Sequence, residues 1–152
     1  MAGRRRAFGL VVLLCALSAA AGTDTLINHT TLKDGVDGVD GLGLPTDVAV
    51  SPDGGYVYVA ANKDGAISWY EILDAGDPAY RGMVVHGGGA QQGLAGVTDI
   101  AISPDGRTLY ATSTAEGGMV SVWDRSASSG SLTFVELHQD DVGGVEGLGT
   151  PV

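Results

Sequence analysis

Two stretches, Asp47-Val-Ala-Val-Ser-Pro-Asp-Gly54 and Asp99-Ile-Ala-Ile-Ser-Pro-Asp-Gly106, are near copies of each other, set 52 residues apart from serine to serine. Each reads as a short strand of alternating apolar residues running into a turn with Ser first, Pro second and Gly fourth, the type I pattern. Self-similarity at this period identifies a repeat architecture, in which a supersecondary unit buries its apolar face only by stacking on its neighbour. No other feature of the chain restricts its fold as much.

The residues between the copies also recur in order. The first unit predicts strands over 46–51, 56–61, 66–73 and 81–86, with a polar loop over 74–79 before the last. The second predicts strands over 98–103, 108–113, 119–124 and 131–138, with a turn at Glu116-Gly-Gly118. Along 56–61 the valines point one way and the tyrosines the other, as a pleated strand requires. Glycine accounts for 25 of 152 residues, against about 7% in an average protein. It clusters between the apolar runs, where hairpins need positive φ. No segment after residue 22 sustains a 3.6-residue period. Four short strands per unit of about 50 residues predict an all-β fold of four-stranded antiparallel β-propeller blades. A β-sandwich also has short strands and regular turns, but does not call for the near-identical internal copy.

Residues 1–22 stand apart. Arg4-Arg5-Arg6, an apolar run over 7–17 and Ser18-Ala-Ala-Ala-Gly22 follow the order of a signal peptide cut after Ala21 or Gly22. The apolar run is short of the roughly 20 residues that span a bilayer, so no stable membrane anchor is expected and the mature chain is predicted to be secreted or periplasmic. General secretion is the expected route; Arg5-Arg6-Ala7-Phe8 matches a twin-arginine signal only weakly. Cys15, the one cysteine, lies inside this run, leaving the mature chain without disulfide or thiol chemistry. Removing Arg4, Arg5 and Arg6 leaves five basic against 18 acidic residues, which argues against nucleic acid as a partner. Asn28-His-Thr30 is a glycosylation sequon whose meaning depends on the source.

The run Val48-Ala-Val-Ser-Pro-Asp-Gly-Gly-Tyr-Val-Tyr-Val-Ala60, with a later Ser129-Gly-Ser-Leu-Thr-Phe-Val135 strand, resembles the bacterial lactonase-like seven-bladed propellers, including those with Tyr-Val-Thr-Asn-type surface repeats. Val39-Asp-Gly-Leu-Gly43 and Val145-Glu-Gly-Leu-Gly149 resemble the linkers between blades of that group. The resemblance covers nearly all of the mature chain and rests on turns and core strands. It implies a propeller, and for some members hydrolysis of sugar lactones such as 6-phosphogluconolactone.

The predicted organisation is a signal peptide over 1–22, an N-terminal strand and Gly/Asp linker over 23–45, one blade over 46–92, a second over 93–144, and the start of a third over 145–152. The strand over 25–32 holds the place of a blade's outer strand, with Asp34 aligned to Asp140. A closed propeller needs about four to eight blades, so two predict an N-terminal fragment of a longer protein, or a short chain that completes its ring by oligomerisation.

Candidate site residues are few. Asp47 and Asp99 precede the innermost strands, which places both near one mouth of the channel. They are the metal candidates, for a hard cation such as Ca²⁺, although Ca²⁺ takes six to eight oxygens. The competing reading is an Asp that accepts backbone hydrogen bonds at a strand start. Asp34, Asp37 and Asp40, with Asp140, Asp141 and Glu146 later, read as exposed acidic turns whose spacing does not match a calcium loop. Asp53 and Asp105 belong to the turns. His86 and His138 fall at the rim, and Trp69, Tyr70 and Trp123 are expected to pack between blades. Three readings follow: a binding or scaffold module for a protein or carbohydrate ligand, a lactonase-type hydrolase with Asp47 or Asp99 holding a metal or activating water, and a truncated product without independent function.

Overall fold

The computed structural model describes residues 12–13, 30–73, 76–88 and 93–148. A two-residue strand β1 (Val12–Leu13) pairs antiparallel with β2 (Thr31–Leu32). The rest of the expected signal peptide, and the expected N-terminal strand up to His29, lie outside the described residues. No helix among the described residues is long and apolar enough to cross a membrane.

Two four-stranded antiparallel sheets follow. The first runs in order β3 (Pro45–Val50), β4 (Tyr56–Ala61), β5 (Ala66–Ile72) and β6 (Pro78–Val85). The second runs β7 (Val97–Ile102), β8 (Thr108–Ser113), β9 (Met119–Arg125) and β10 (Leu132–Gln139), with a single 3₁₀ turn at Ala115–Gly117 where the hairpin turn was expected. Consecutive strands are neighbours throughout, the meander of a propeller blade. One difference concerns β6, which starts at Pro78 inside the expected polar loop. Proline at the first position of a strand forfeits no ladder bond, and the extension lets Tyr80 pair with Tyr70.

The alternation read from 56–61 holds on both faces. Tyr56, Tyr58 and Ala60 join Trp69, Ile100, Leu109, Trp123 and Leu132 in a core between the two sheets. Val57 and Val59 turn the other way and pack with Tyr70 beneath Val39 and Leu42 of the N-terminal linker. Tyr70 therefore leaves the group expected between the blades, because it points opposite to its neighbour Trp69. The linker packs in the same way ahead of each blade. Leu42 covers the face of the first sheet, and Leu94, 52 residues on, is fully buried against the second.

β3 and β7 lie side by side, as inner strands around a common axis. Each carries the same β-bulge: pairing jumps from Pro45 to Asp47 against β4, and from Val97 to Asp99 against β8. The extra residue is a threonine both times, Thr46 and Thr98. A bulge re-aims the side chain that follows it, and here that side chain is an aspartate.

Candidate functional site

The most organised polar chemistry lies along the seam between the blades. Thr46 Oγ1 and Asn62 Nδ2 of the first blade both donate to the carbonyl of Val97, at 3.2 and 3.1 Å. Asp47, re-aimed by the bulge, reaches across the same seam, and its Oδ2 accepts the N–H of Ile100 at 2.8 Å. The carboxylate thus satisfies a backbone donor on the free edge of β7. Its Oδ1 has no hydrogen-bond partner among the described residues. Asp99, at the equivalent place on β7, is exposed, and its carboxylate has no hydrogen-bond partner among them. The two metal candidates therefore stand in different states, one engaged in a brace and the other open.

Further along the seam sits Arg125, at the end of β9, with its side chain only 1% exposed. Its Nε donates to Tyr58 Oη at 2.8 Å and its Nη1 to the Gly106 carbonyl at 2.8 Å. Its Nη2 lies 3.3 Å from Asp53 Oδ2. The guanidinium lies over the Tyr56 and Tyr58 rings, 5.4 and 5.8 Å from their centroids. Tyr58 in turn donates to the Gly130 carbonyl at 2.7 Å, and Tyr56 to that of Ser128 at 2.9 Å. Gly130 has φ +69, and a side chain there would run into the Tyr56 ring. Burial pushes the Tyr58 hydroxyl above its ordinary pKa, against the opposing pull of Arg125. Sequence reasoning missed this arginine. Along β9 the residues Met119, Ser121, Trp123 and Arg125 share one buried face, so the period-two pattern alone would have placed a cation in the interior, where it must find partners.

Asp53 and Asp105 occupy their turns as expected, and Asp53 adds the contact to Arg125. The Ser51 hydroxyl, the Gly55 N–H and Arg125 hold Asp53 below the usual carboxylate range. Asp105 is lowered the same way by Ser103 and by the Arg107 N–H. For a depressed folded-state pKa, the stabilisation is complete above the unfolded carboxylate value and is lost as pH falls through the folded one. The thermal midpoint should therefore hold from neutrality to about pH 4 and drop below it. Melting curves across roughly pH 2 to 5 test this, and Asp53→Asn should flatten the acid limb. An acid limb of unchanged steepness in that variant would contradict the assignment.

A second polar group lies on the N-terminal linker. Carboxylate oxygens of Asp34, Asp40 and Asp64 all fall within 4.8 Å of one another. Each also accepts a backbone N–H of the same short segment: Leu42 to Asp34 at 3.1 Å, Gly41 to Asp40 at 2.9 Å, Gly43 to Asp64 at 2.6 Å. The group is not repeated in the second blade, where His86 and Gly117 stand at the positions of Asp34 and Asp64. Spacing in the sequence drew Asp34 and Asp40 together with Asp37, while Asp64 arrives from a distant hairpin. Asp140 repeats the role of Asp34, accepting the N–H of Leu148 at 2.9 Å. Strand pairing also separates the two histidines. The His86 N–H bonds to the Gly65 carbonyl as that of Asp140 bonds to Gly118, so His86 is equivalent to Asp140. His138 lies two positions earlier on its outer strand, 3.4 Å from Glu136, while His86 directly follows outer strand β6.

A WD domain, G-beta repeat model matches residues 89–124. The periplasmic gluconolactonase of Pseudomonas aeruginosa superposes with a TM-score of 0.60 at 21% identity, over 73% of this chain and 29% of that one. A protein from Lactobacillus plantarum gives 0.58 at 22% identity, over 76% and 32%. The structure of a candidate 6-phosphogluconolactonase from Bacteroides fragilis gives 0.56 at 24% identity, over 67% and 27%. No curated protein matches the chain. The chain spans about a third or less of the length of these solved structures, and its likeness to them is one of fold: the two sheets are β-propeller blades.

Proposed function

We propose that these two blades belong to a secreted β-propeller that serves as a binding or scaffold module for a protein or carbohydrate ligand. The observation that carries the reading is the use made of Asp47. Of the two repeat-equivalent aspartates, Asp47 is committed to the Ile100 N–H across the seam between the blades, which is the work of a frame and not of a nucleophile or base. A frame of this kind leaves recognition to the loops between strands. The match to a WD-type repeat supports the same reading.

A lactonase-type hydrolase is the second reading, favoured by the gluconolactonase among the structural neighbours. In it, Asp99 and the unpartnered oxygen of Asp47 would hold a cation such as Ca²⁺ or activate water. Hydrolysis of a panel of sugar lactones, including 6-phosphogluconolactone, with and without added Ca²⁺, separates the two. Under the binding reading, turnover stays at the uncatalysed rate in both conditions. Turnover that Asp99→Asn abolishes in a chain with unchanged melting temperature would overturn it in favour of the hydrolase.

A further inference from the structure

The seam contacts of the first blade depend on three side chains: Asp47 for the Ile100 N–H, Tyr58 for the Gly130 carbonyl and Arg125, and Asp53 for Arg125. The same three side chains recur on the second blade as Asp99, Tyr110 and Asp105, and all three are exposed. The contrast is sharpest for the tyrosines, since Tyr58 is 0% exposed and Tyr110 43%. Ala101, which corresponds to the seam residue Ala49, is exposed as well. We propose that Asp99, Tyr110 and Asp105 form a three-point docking surface for a third blade of the same repeat, one that carries arginine at the end of its third strand.

The occupant follows from the chain's own seam. A blade seated on the second as the second is seated on the first offers Asp99 an inner-strand N–H, Tyr110 a hairpin carbonyl, and Tyr110 with Asp105 a guanidinium. The face carries Asp99, Asp105 and, directly across from Thr108, Asp124, against the single charge of Arg107 beside Asp105, and this acidic balance calls for a cation. A second copy of this chain does not supply it. Its first blade carries Ile72 at the Arg125 position, and the matching face of its second blade is already covered by the first. The linker favours a blade continuous with this one: the Asp140–Leu148 hydrogen bond reproduces the Asp34–Leu42 bond that leads into β3. The rest of the face is more polar than its template, with Thr108 and Thr112 at the positions of Tyr56 and Ala60. The three polar contacts therefore carry more of the selection.

A tandem variant tests this directly. Residues 99–148 are joined a second time after Val152, which keeps the repeat in register because Thr150-Pro-Val152 stands where Leu44-Pro-Thr46 precedes Asp47. Hydrogen exchange is then followed by NMR over 97–113 of the original blade, its amides told from those of the added copy by segmental isotope labelling. The added blade should slow exchange there by about tenfold or more, and replacing its arginine with isoleucine should return the rate to that of the two-blade chain. Tyr110→Phe with Asp105→Asn should do the same. Exchange unaffected by the added blade, or slowed equally with arginine and isoleucine, overturns the proposal. A second arm uses the full chain without any addition. Ile72→Arg gives the first blade the missing cation, so light scattering should show self-association that Asp105→Asn removes. Self-association equal in the wild type, or indifferent to Asp105→Asn, counts against the docking surface.

Discussion

Arg125→Ala should be among the most destabilising single substitutions in the chain, lowering the free energy of unfolding by about 3 kcal/mol. The guanidinium makes two hydrogen bonds at 2.8 Å from a side chain almost fully withdrawn from water. A bond from a charged donor contributes about 1.5–3 kcal/mol net. Two effects hold the total near the lower end. Tyr58 keeps its bond to the Gly130 carbonyl, and Asp53 is 49% exposed, so water takes over its solvation. For that second reason Asp53→Asn should cost under about 1 kcal/mol through the ion pair. Arg125→Met should fall between them, because its unbranched stem still covers the Tyr56 and Tyr58 rings. Urea unfolding curves give all three values. An Arg125→Ala midpoint indistinguishable from wild type, or an Asp53→Asn loss as large as that of Arg125→Ala, would mean the arginine is not the strut of the seam. Against typical domain stabilities of about 5–15 kcal/mol, the expected loss leaves little reserve.

How far the sequence foretold this arrangement depends on the range of the interaction. The strands were legible to within one or two residues at nearly every boundary, because Ser-Pro-Asp-Gly punctuates each inner hairpin and the Val/Tyr alternation of 56–61 assigns both faces. β6 is the exception, since the polar run before Pro78 reads locally as loop and its strand character comes from pairing with β5. Asp47 was legible as a repeated residue at a strand start that accepts a backbone hydrogen bond, but the identity of its donor was not. The donor lies 53 positions away on another blade, and the threonine bulge that aims the carboxylate appears only once the strands are paired. The acidic group on the linker was half legible: Asp34 and Asp40 are neighbours in sequence, whereas Asp64 is brought in by the β4–β5 hairpin. The histidines are the converse case. They lie one repeat period apart in the sequence, yet one extra residue in the second hairpin and another in the third shift His86 into register with Asp140.

The same register exposes a device that makes the third strand of each blade a target for the other large effect. Ser68 Oγ meets Tyr70 Oη at 3.1 Å, and Ser121 Oγ accepts from Trp123 Nε1 at 2.8 Å. In both blades a serine two residues back satisfies the polar tip of a fully buried aromatic ring. Burial pushes the Tyr70 hydroxyl up to about 12. Trp123 is 0% exposed, stands edge-on to Phe134 with centroids 5.4 Å apart, and belongs to the core between the blades. Trp123→Ala should therefore cost about 3–5 kcal/mol, the transfer free energy of the ring plus the cavity it leaves. Trp123→Phe keeps most of the apolar contact but strands the buried Ser121 hydroxyl, at about 1–3 kcal/mol. Ser121→Ala in that background should recover part of the loss. Trp123→Tyr copies the arrangement of the first blade and should cost less than Trp123→Phe, although tyrosine is the more polar residue. Chemical denaturation followed by circular dichroism ranks the four variants without relying on tryptophan emission. A phenylalanine variant as stable as the tyrosine one, with no recovery from Ser121→Ala, would reduce the serine to a bystander and leave the ring's volume as its whole contribution.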